Sequence, residues 1–259
     1  MHGGRSTVTM STSAALLLIL GFCAGAHALK LPSYIKACSR NDPNINDCAK
    51  KSATEAIPHF INGDPKYRIP PLEPIIINEL SVKKGSNNFG MEFIATNAEM
   101  RGLKDTVIRE IRLDLKKQHI EYDLLFPEVN ITSRYNISGR VLVLPITGDG
   151  IAEINLKNVS CVIAYDFVKK LNPELKQEVL IPSKSTLTFN AMAMKIHLSN
   201  LFNGDKFLGD NMNHFLNENW QELIREMGPP VGEAINQFVS ALLSNVFELV
   251  PYDDAFLDV

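Results

Sequence analysis

The middle of the chain consists of segments in which apolar and polar residues alternate one by one. The clearest is VNITSRYNIS, and the residues on its predicted inner face are Val129, Ile131, Ser133, Tyr135 and Ile137. A period of two is typical of strands with one buried and one solvated face, which form antiparallel sheets. Residues 111–116 and 120–126 follow similar patterns, and a further strand pair is expected between Val179 and Leu198. The alternation slips near Lys157 and Asn158, which predicts a bulge or bend. The pattern predicts a large antiparallel sheet whose apolar face needs a cover.

A second pattern, near the C-terminus, predicts that cover. Apolar residues recur at helical spacing in a wide stripe: Val231, Ala234, Ile235, Phe238, Val239, Leu242, Leu243, Val246 and Phe247. Such a stripe predicts a helix that is buried around much of its circumference. Pro229 and Pro230 either kink one long helix or start a second one. The prediction is an α+β fold in which a curved antiparallel sheet packs on a long C-terminal helix.

The N-terminus has the pattern of a secretory signal peptide. Arg5 precedes an apolar run at residues 14–24, and Ala26-His27-Ala28 provides a small-x-small cleavage pattern. The run is shorter than the 20 or so residues that a membrane anchor needs. We therefore expect residues 1–28 to be a signal peptide and residues 29–259 to form one domain, secreted into an extracellular fluid such as haemolymph.

The loop CSRNDPNINDC raises the question of what its two cysteines do. It begins like a calcium-binding loop, but Asp47 stands where glycine is needed and Ala53 where a bidentate glutamate is needed. Zinc would require two further ligands nearby, and the spacing is far from the C-x-x-C of redox sites. In an oxidising compartment, a Cys38–Cys48 disulfide is expected, and Cys161 is left without a partner.

A helix is expected directly after this loop. Apolar and small residues at helical spacing run from Ile45 to Phe60, and turn-forming residues follow at positions 62–65. Asn44 or Asn46 could cap its first turn.

Three glycosylation sequons begin at Asn130, Asn136 and Asn158. Chance sequons are common, but Asn130 and Asn136 share the polar face of one predicted strand, which favours glycan attachment in a secreted protein. The formal net charge of −3 gives no basic face for nucleic acid, and no lysine or arginine cluster suggests stable membrane association.

Motifs for catalysis and for cofactor binding are not found. The sequence contains no nucleophile elbow, metalloprotease helix, phosphate loop or C-x-x-C motif, and we expect no enzyme, metal or cofactor. The histidines that follow the signal segment are scattered: His59, His119, His197 and His214. A catalytic group assembled across the fold is the alternative to a binding protein.

Several stretches resemble the takeout / juvenile-hormone-binding family of insects. They are the N-terminal cysteine pair with its helix, the IPPLEPI segment, LFNGD at 201–205 and FLNENW at 215–220. The resemblance implies a tubular lipid-binding fold with a hydrophobic tunnel between sheet and helix. It also implies a secreted carrier of terpenoid, juvenile-hormone-like or fatty-acid-like ligands, in circadian, feeding or chemosensory signalling. Dedicated hormone binders have a second disulfide, so the unpartnered Cys161 favours the takeout-like branch.

The expected tunnel wall combines strand and helix residues. Its members are Val129, Ile131, Tyr135, Ile137, Phe189, Met192, Met194, Phe238 and Leu242. Each could instead be ordinary core, and Met192 and Met194 fall on the opposite alternation from Phe189. The Tyr135 hydroxyl could donate a hydrogen bond to a ligand or simply reach the surface. A different function would be an extracellular interaction protein whose curved sheet binds a receptor.

Overall fold

A computed structural model describes residues 29–85, 90–142 and 144–259, so the expected signal peptide lies outside the described residues. The helices are α1 (Ile45–Phe60), α2 (Lys206–Glu218), α3 (Trp220–Phe247) and α4 (Tyr252–Ala255). The strands are β1 (Cys38–Ser39), β2 (Ile75–Gly85), β3 (Gly90–Arg101), β4 (Val107–Asp114), β5 (His119–Val141), β6 (Leu144–Asn172), β7 (Gln177–Asn190), β8 (Ala193–Leu198) and β9 (Phe256–Leu257). The helix expected from residue 45 to residue 60 and the strand-rich middle are confirmed.

Two unusually long strands form the spine of the sheet. β5 has 23 residues and β6 has 29, and they pair antiparallel from His119 opposite Asp166 to Val141 opposite Leu144. The first part of β5 pairs with β4 on its outer side and the later part with β3. In the same way, β6 pairs first with β8 and then with β7. The spine therefore joins two half-sheets end to end.

A bend separates the two half-sheets. Phe126 pairs with Val159 and Glu128 with Lys157, so Pro127 lies opposite Asn158, whose φ is 48°. At Pro127 the inward residues of β5 change from even to odd numbers. The inward residues of β6 change at the same point, so the pairing register of the two strands does not shift. Proline cannot donate a ladder hydrogen bond, and asparagine tolerates a positive φ. The irregularity expected near Lys157 and Asn158 is confirmed.

The sheet curls around α3. The main strand order is β2-β3-β5-β6-β7, and α3 packs chiefly against β7 but also contacts β2 at the other edge. β2 is the outer strand of the half-sheet that contains β3 and β8, whereas β7 is the outer strand of the half-sheet that contains β4. The curled sheet therefore contacts α3 in both halves, and the helix closes it. The α+β fold expected from the sequence is confirmed.

The long helix differs in detail from the expectation. It runs unbroken through Pro229 and Pro230, and the break in the C-terminal helical region lies earlier, at Asn219. Its fully buried residues are Leu223, Gly232 and Asn236, while most of its apolar stripe is only half-buried. Only a narrow stripe at residues 221, 225, 229, 233, 237 and 241 is exposed, so the helix is buried or half-buried around much of its circumference, as expected.

The N-terminal arm and the C-terminus are held together. Cys38 and Cys48 form the expected disulfide, which joins β1 to α1. Cys38 also pairs with Phe256 of β9 in a short parallel ladder. Asn44 occupies the cap position of α1 without a side-chain cap bond, whereas the Asn46 side-chain oxygen accepts a hydrogen bond from the Leu113 amide of β4 at 2.9 Å. The disulfide thus connects α1 to β1, which is itself paired with the C-terminal strand β9.

Candidate functional site

Two neighbouring clusters of inward apolar side chains lie under the first half of α3. In one, Val129 is packed with the half-buried Ile131, Phe189 and Met194, and Ile224 of α3 contacts the group. In the other, Tyr135 and Ile137 pack with Leu223 and Met227 of α3, and Met194 contacts this cluster as well. These two clusters bring together six of the nine wall residues expected from the sequence. They form a continuous apolar surface between sheet and helix.

Met192 does not belong to this surface. Its side chain is 74% exposed, and it lies in the short turn between β7 and β8. Phe189 and Met194 have opposite parity in the sequence, yet both point inward, because the turn between them separates β7 from β8. The expectation that Met192 lines the interior is wrong.

Tyr135 is buried, but its hydroxyl is already engaged. The side chain is 4% exposed, and the hydroxyl donates a hydrogen bond of 2.6 Å to the Ser199 carbonyl oxygen. Burial raises the pKa of Tyr135 to about 12, with a smaller contribution from the charge of Asp149. The hydroxyl therefore connects β5 to the segment after β8 and is not available as the ligand donor that the sequence suggested.

Phe238 and Leu242 lie in a groove on a different side of α3. The groove has a volume of about 520 Å³ and runs between α3 and the proline-rich segment at residues 68–71. Leu242 also packs against Tyr67 and Ile69 in the segment between α1 and β2. A volume of this size is within the usual range for small-molecule sites. These two expected wall residues are thus separated from the clusters beneath the sheet.

The contact between α3 and β7 depends on a row of small and polar residues. Gly232, Asn236 and Ser240 follow each other at four-residue spacing on α3 and face Leu187 and Ser185 of β7. Four helical residues advance about 6 Å and two strand residues about 6.7 Å, so the step from Gly232 to Asn236 matches the step from Leu187 to Ser185. Ser240, one step further, also contacts Ser185. The glycine brings the two backbones close at this point.

A polar cluster missed by the sequence analysis lies along this row. The Asn236 amide nitrogen donates to the carbonyl oxygen and the hydroxyl of Ser185, both at 3.1 Å. The Ser185 hydroxyl shares a hydrogen bond of 2.7 Å with the Ser240 hydroxyl. On the neighbouring strand, Tyr165 pairs with Ser185, and its hydroxyl lies 3.3 Å from that of Tyr122. The four-residue spacing of Gly232, Asn236 and Ser240 could have indicated this contact, but these residues are not part of the apolar stripe from which the helix was predicted.

Cys161 is buried within β6. It is a free cysteine, and burial raises the pKa of its thiol to about 11, with a smaller contribution from the charge of Asp123. Because it pairs with Leu124 and Phe189 across the sheet, it lies in the strand spine and away from the surface. A single buried thiol of this kind behaves as a small apolar side chain.

The three sequon asparagines are exposed. Asn130 and Asn136 lie on the outer face of β5, and Asn158 lies at the bend of β6. The Asn130 side-chain oxygen accepts a hydrogen bond from Asn155 at 2.6 Å. Glycan attachment at all three stays a prediction.

The described part of the chain also lacks two other kinds of feature. It contains no group of three or more histidine, cysteine, aspartate or glutamate side chains that could hold a metal ion. No helix there combines the length and the apolar character that crossing a membrane requires. The chemistry offered by the interior is therefore that of apolar walls with one polar cluster.

A curved sheet closed by a long helix, with apolar walls between them, defines the class of tubular binding proteins, and comparisons with known proteins agree. The family model described as haemolymph juvenile hormone binding protein matches residues 16–257. The crystal structure of Epiphyas postvittana Takeout 1 superposes with a TM-score of 0.76 at 29% identity, covering 86% of this chain and 100% of that one. Circadian clock-controlled protein daywake is 25% identical in Drosophila melanogaster and 26% in Drosophila yakuba, each match covering 87% of this chain and 88% of the relative.

The chain therefore belongs to the haemolymph juvenile hormone binding protein family, which includes the takeout-like proteins. Members of this family are typically carriers of hydrophobic ligands and not enzymes. The family expected from the cysteine pair and the LFNGD and FLNENW stretches is confirmed.

Proposed function

We propose that this protein is a secreted, non-catalytic carrier that holds one elongated apolar ligand between the curved sheet and α3. The observation that supports it most is the continuous apolar surface formed by inward strand residues and by Leu223, Ile224 and Met227 of α3. Val231, Ile235 and Val239 extend that surface along the helix at four-residue spacing and are half-buried. An internal apolar surface of this kind suits a lipid-like molecule.

The energetics suit a permissive carrier. Burying ten methylene groups at about 0.8 kcal/mol each gives roughly 8 kcal/mol before the cost of association. Because about 8 kcal/mol corresponds to a dissociation constant of about 1 μM, micromolar affinity is the tightest that this contribution allows without a charged anchor. Met194 and Met227 favour breadth of ligand choice because the unbranched methionine chain adapts to different shapes. The ligand class is thus terpenoid or fatty-acid-like, and juvenile hormone itself is one candidate.

The relatives add a physiological setting. The daywake proteins are named as circadian clock-controlled, which supports a role in rhythmic or feeding-related signalling for this carrier. The signal-peptide pattern of residues 1–28 and the Cys38–Cys48 disulfide support secretion, since disulfides persist in oxidising compartments.

Two tryptophan substitutions on α3 test the proposal. Val239→Trp would fill the interior, whereas Gln237→Trp lies on the exposed face of the same helix. We expect diphenylhexatriene, an apolar probe that fluoresces when shielded from water, to bind the wild type and Gln237→Trp equally. Val239→Trp should bind it at least about tenfold more weakly, since an overfilled interior excludes it. Equal binding by folded forms of all three proteins would contradict an internal site.

A further inference from the structure

The polar cluster between α3 and the sheet contains an unused hydrogen-bond acceptor. Asn236 is 4% exposed, and its side-chain oxygen is the one buried side-chain nitrogen or oxygen without a hydrogen-bond partner among the described residues. Leaving such a group unpaired is unfavourable, so buried polar atoms are nearly always satisfied. The row on α3 is otherwise glycine, serine and apolar residues, which makes this asparagine the exception.

The orientation of the amide follows from its partner. A carbonyl oxygen can only accept, so the amide nitrogen of Asn236 must be the atom that faces the Ser185 carbonyl. The same nitrogen also donates toward the Ser185 hydroxyl, at 3.1 Å. The remaining atom is therefore an acceptor, and its complement is a donor.

Two phenolic side chains lie on the strands beside Ser185, Tyr165 on β6 and Tyr122 on β5. Tyr165 is the direct cross-strand partner of Ser185, so the two side chains are on one face with Cβ atoms about 4.5–5.5 Å apart. The hydroxyls of Tyr165 and Tyr122 share one hydrogen bond, which uses one of their two protons. Burial raises the pKa of both phenols, so they stay neutral. The cluster thus offers an acceptor and a donor.

The cluster itself contains no charged side chain, and this decides which ligand groups fit. A carboxylate would lack a counter-charge in a desolvated setting, which is costly. An ester or an ether carries no donor and would leave the Asn236 oxygen unpaired. A hydroxyl group both donates and accepts, and it is neutral at every physiological pH.

We propose that Asn236, Ser185, Ser240, Tyr122 and Tyr165 form a recognition site for a hydroxyl head group on an otherwise apolar ligand. This inference rests on the proposed carrier function and narrows its ligand class to long-chain or terpenoid alcohols. The Asn236 oxygen accepts the ligand's hydroxyl proton, and the tyrosine pair donates to the ligand oxygen. The apolar chain of the ligand then lies along the surface lined by α3.

The test compares dodecanol with methyl undecyl ether, which has the same number of heavy atoms but no donor. Each displaces diphenylhexatriene from the full mature chain. We expect the alcohol to bind about 5- to 10-fold more tightly than the ether, as one neutral hydrogen bond provides. In Asn236→Leu the ratio should fall to about one. Asn245→Leu, a half-buried asparagine on the same helix beside the groove, should keep it.

The outcomes separate this inference from the function on which it rests. Equal affinities of the wild type for alcohol and ether overturn the hydroxyl site and leave the carrier function intact. Failure of both ligands to displace the probe counts against the carrier function as well. Because the wild-type comparison is decisive by itself, the inference can be overturned even if Asn236→Leu does not fold.

Discussion

Gly232 of α3 lies so close to Leu187 of β7 that a Cβ atom on the glycine would be 3.0 Å from the Leu187 carbonyl oxygen. That carbonyl belongs to a sheet strand and cannot move freely, so a large side chain would separate helix and strand. We expect Gly232→Leu to lower the free energy of unfolding by about 1–3 kcal/mol, as overpacking does. Urea denaturation followed by circular dichroism measures it.

Gly209 of α2 provides the matched control. A Cβ there meets only ordinary contacts, the nearest being the Leu201 Cβ at 3.8 Å. Gly209→Ala should therefore stabilise the protein by about 0.5–1 kcal/mol, since glycine is unfavourable inside a helix. A Gly232→Leu protein as stable as the wild type would show that α3 does not depend on this close approach.

The Cys38–Cys48 disulfide should contribute measurably to stability. The bond closes a short loop and connects α1 to the strand that pairs with β9. In the chain-entropy model, the double serine variant loses about 2–3 kcal/mol of unfolding free energy. Reduced wild-type protein serves as the control and should match the variant. An unchanged denaturation midpoint in both would contradict the stabilising role.

The buried thiol of Cys161 predicts a pH dependence in the alkaline range. Its pKa is about 11 in the folded protein, and its ordinary value is near 9. As the pH rises from 9 to 11, only the unfolded state loses this proton, so the unfolding free energy falls by an amount on the order of 2 kcal/mol. Below pH 8 the contribution is constant. Cys161→Ala should show a smaller loss over that interval, and equal slopes would contradict the burial effect.

Glycosylation should be found first at Asn136. This side chain is exposed on the outer face of β5, whereas the Asn130 oxygen already accepts a hydrogen bond from Asn155. In protein secreted from insect cells, Asn136→Gln should lower the mass by one glycan, and peptide-N-glycosidase should remove the same mass from the wild type. A wild-type mass that the enzyme leaves unchanged would contradict the glycan prediction.

Local patterns predicted much of this fold. The inward residues of β5 around Tyr135, the helix beginning at Ile45 and the disulfide at Cys38 all depend on spacing within one segment, which a sequence displays directly. The sequence of β6 shows the change of alternation near Asn158. The matching change in β5 at Pro127 is recognised only when the two strands are paired.

The candidate site was less accessible to sequence reasoning. Met192 follows a strand pattern, yet the turn between β7 and β8 turns it outward. Asparagine usually faces solvent, but Asn236 is buried because α3 lies close against β7 at Gly232. Both outcomes depend on contacts between elements that are distant in the chain, so residue type and periodicity could not reveal them.

The most direct test of the carrier function is native mass spectrometry of the protein secreted from insect cells. We expect a bound species that adds the mass of a single small apolar molecule and is released by gentle collisional activation. Extraction and fragmentation of that molecule would then show whether it carries a hydroxyl group. A protein that is secreted without a ligand, and binds none after incubation with long-chain alcohols, fatty acids and terpenoids, would contradict the carrier function.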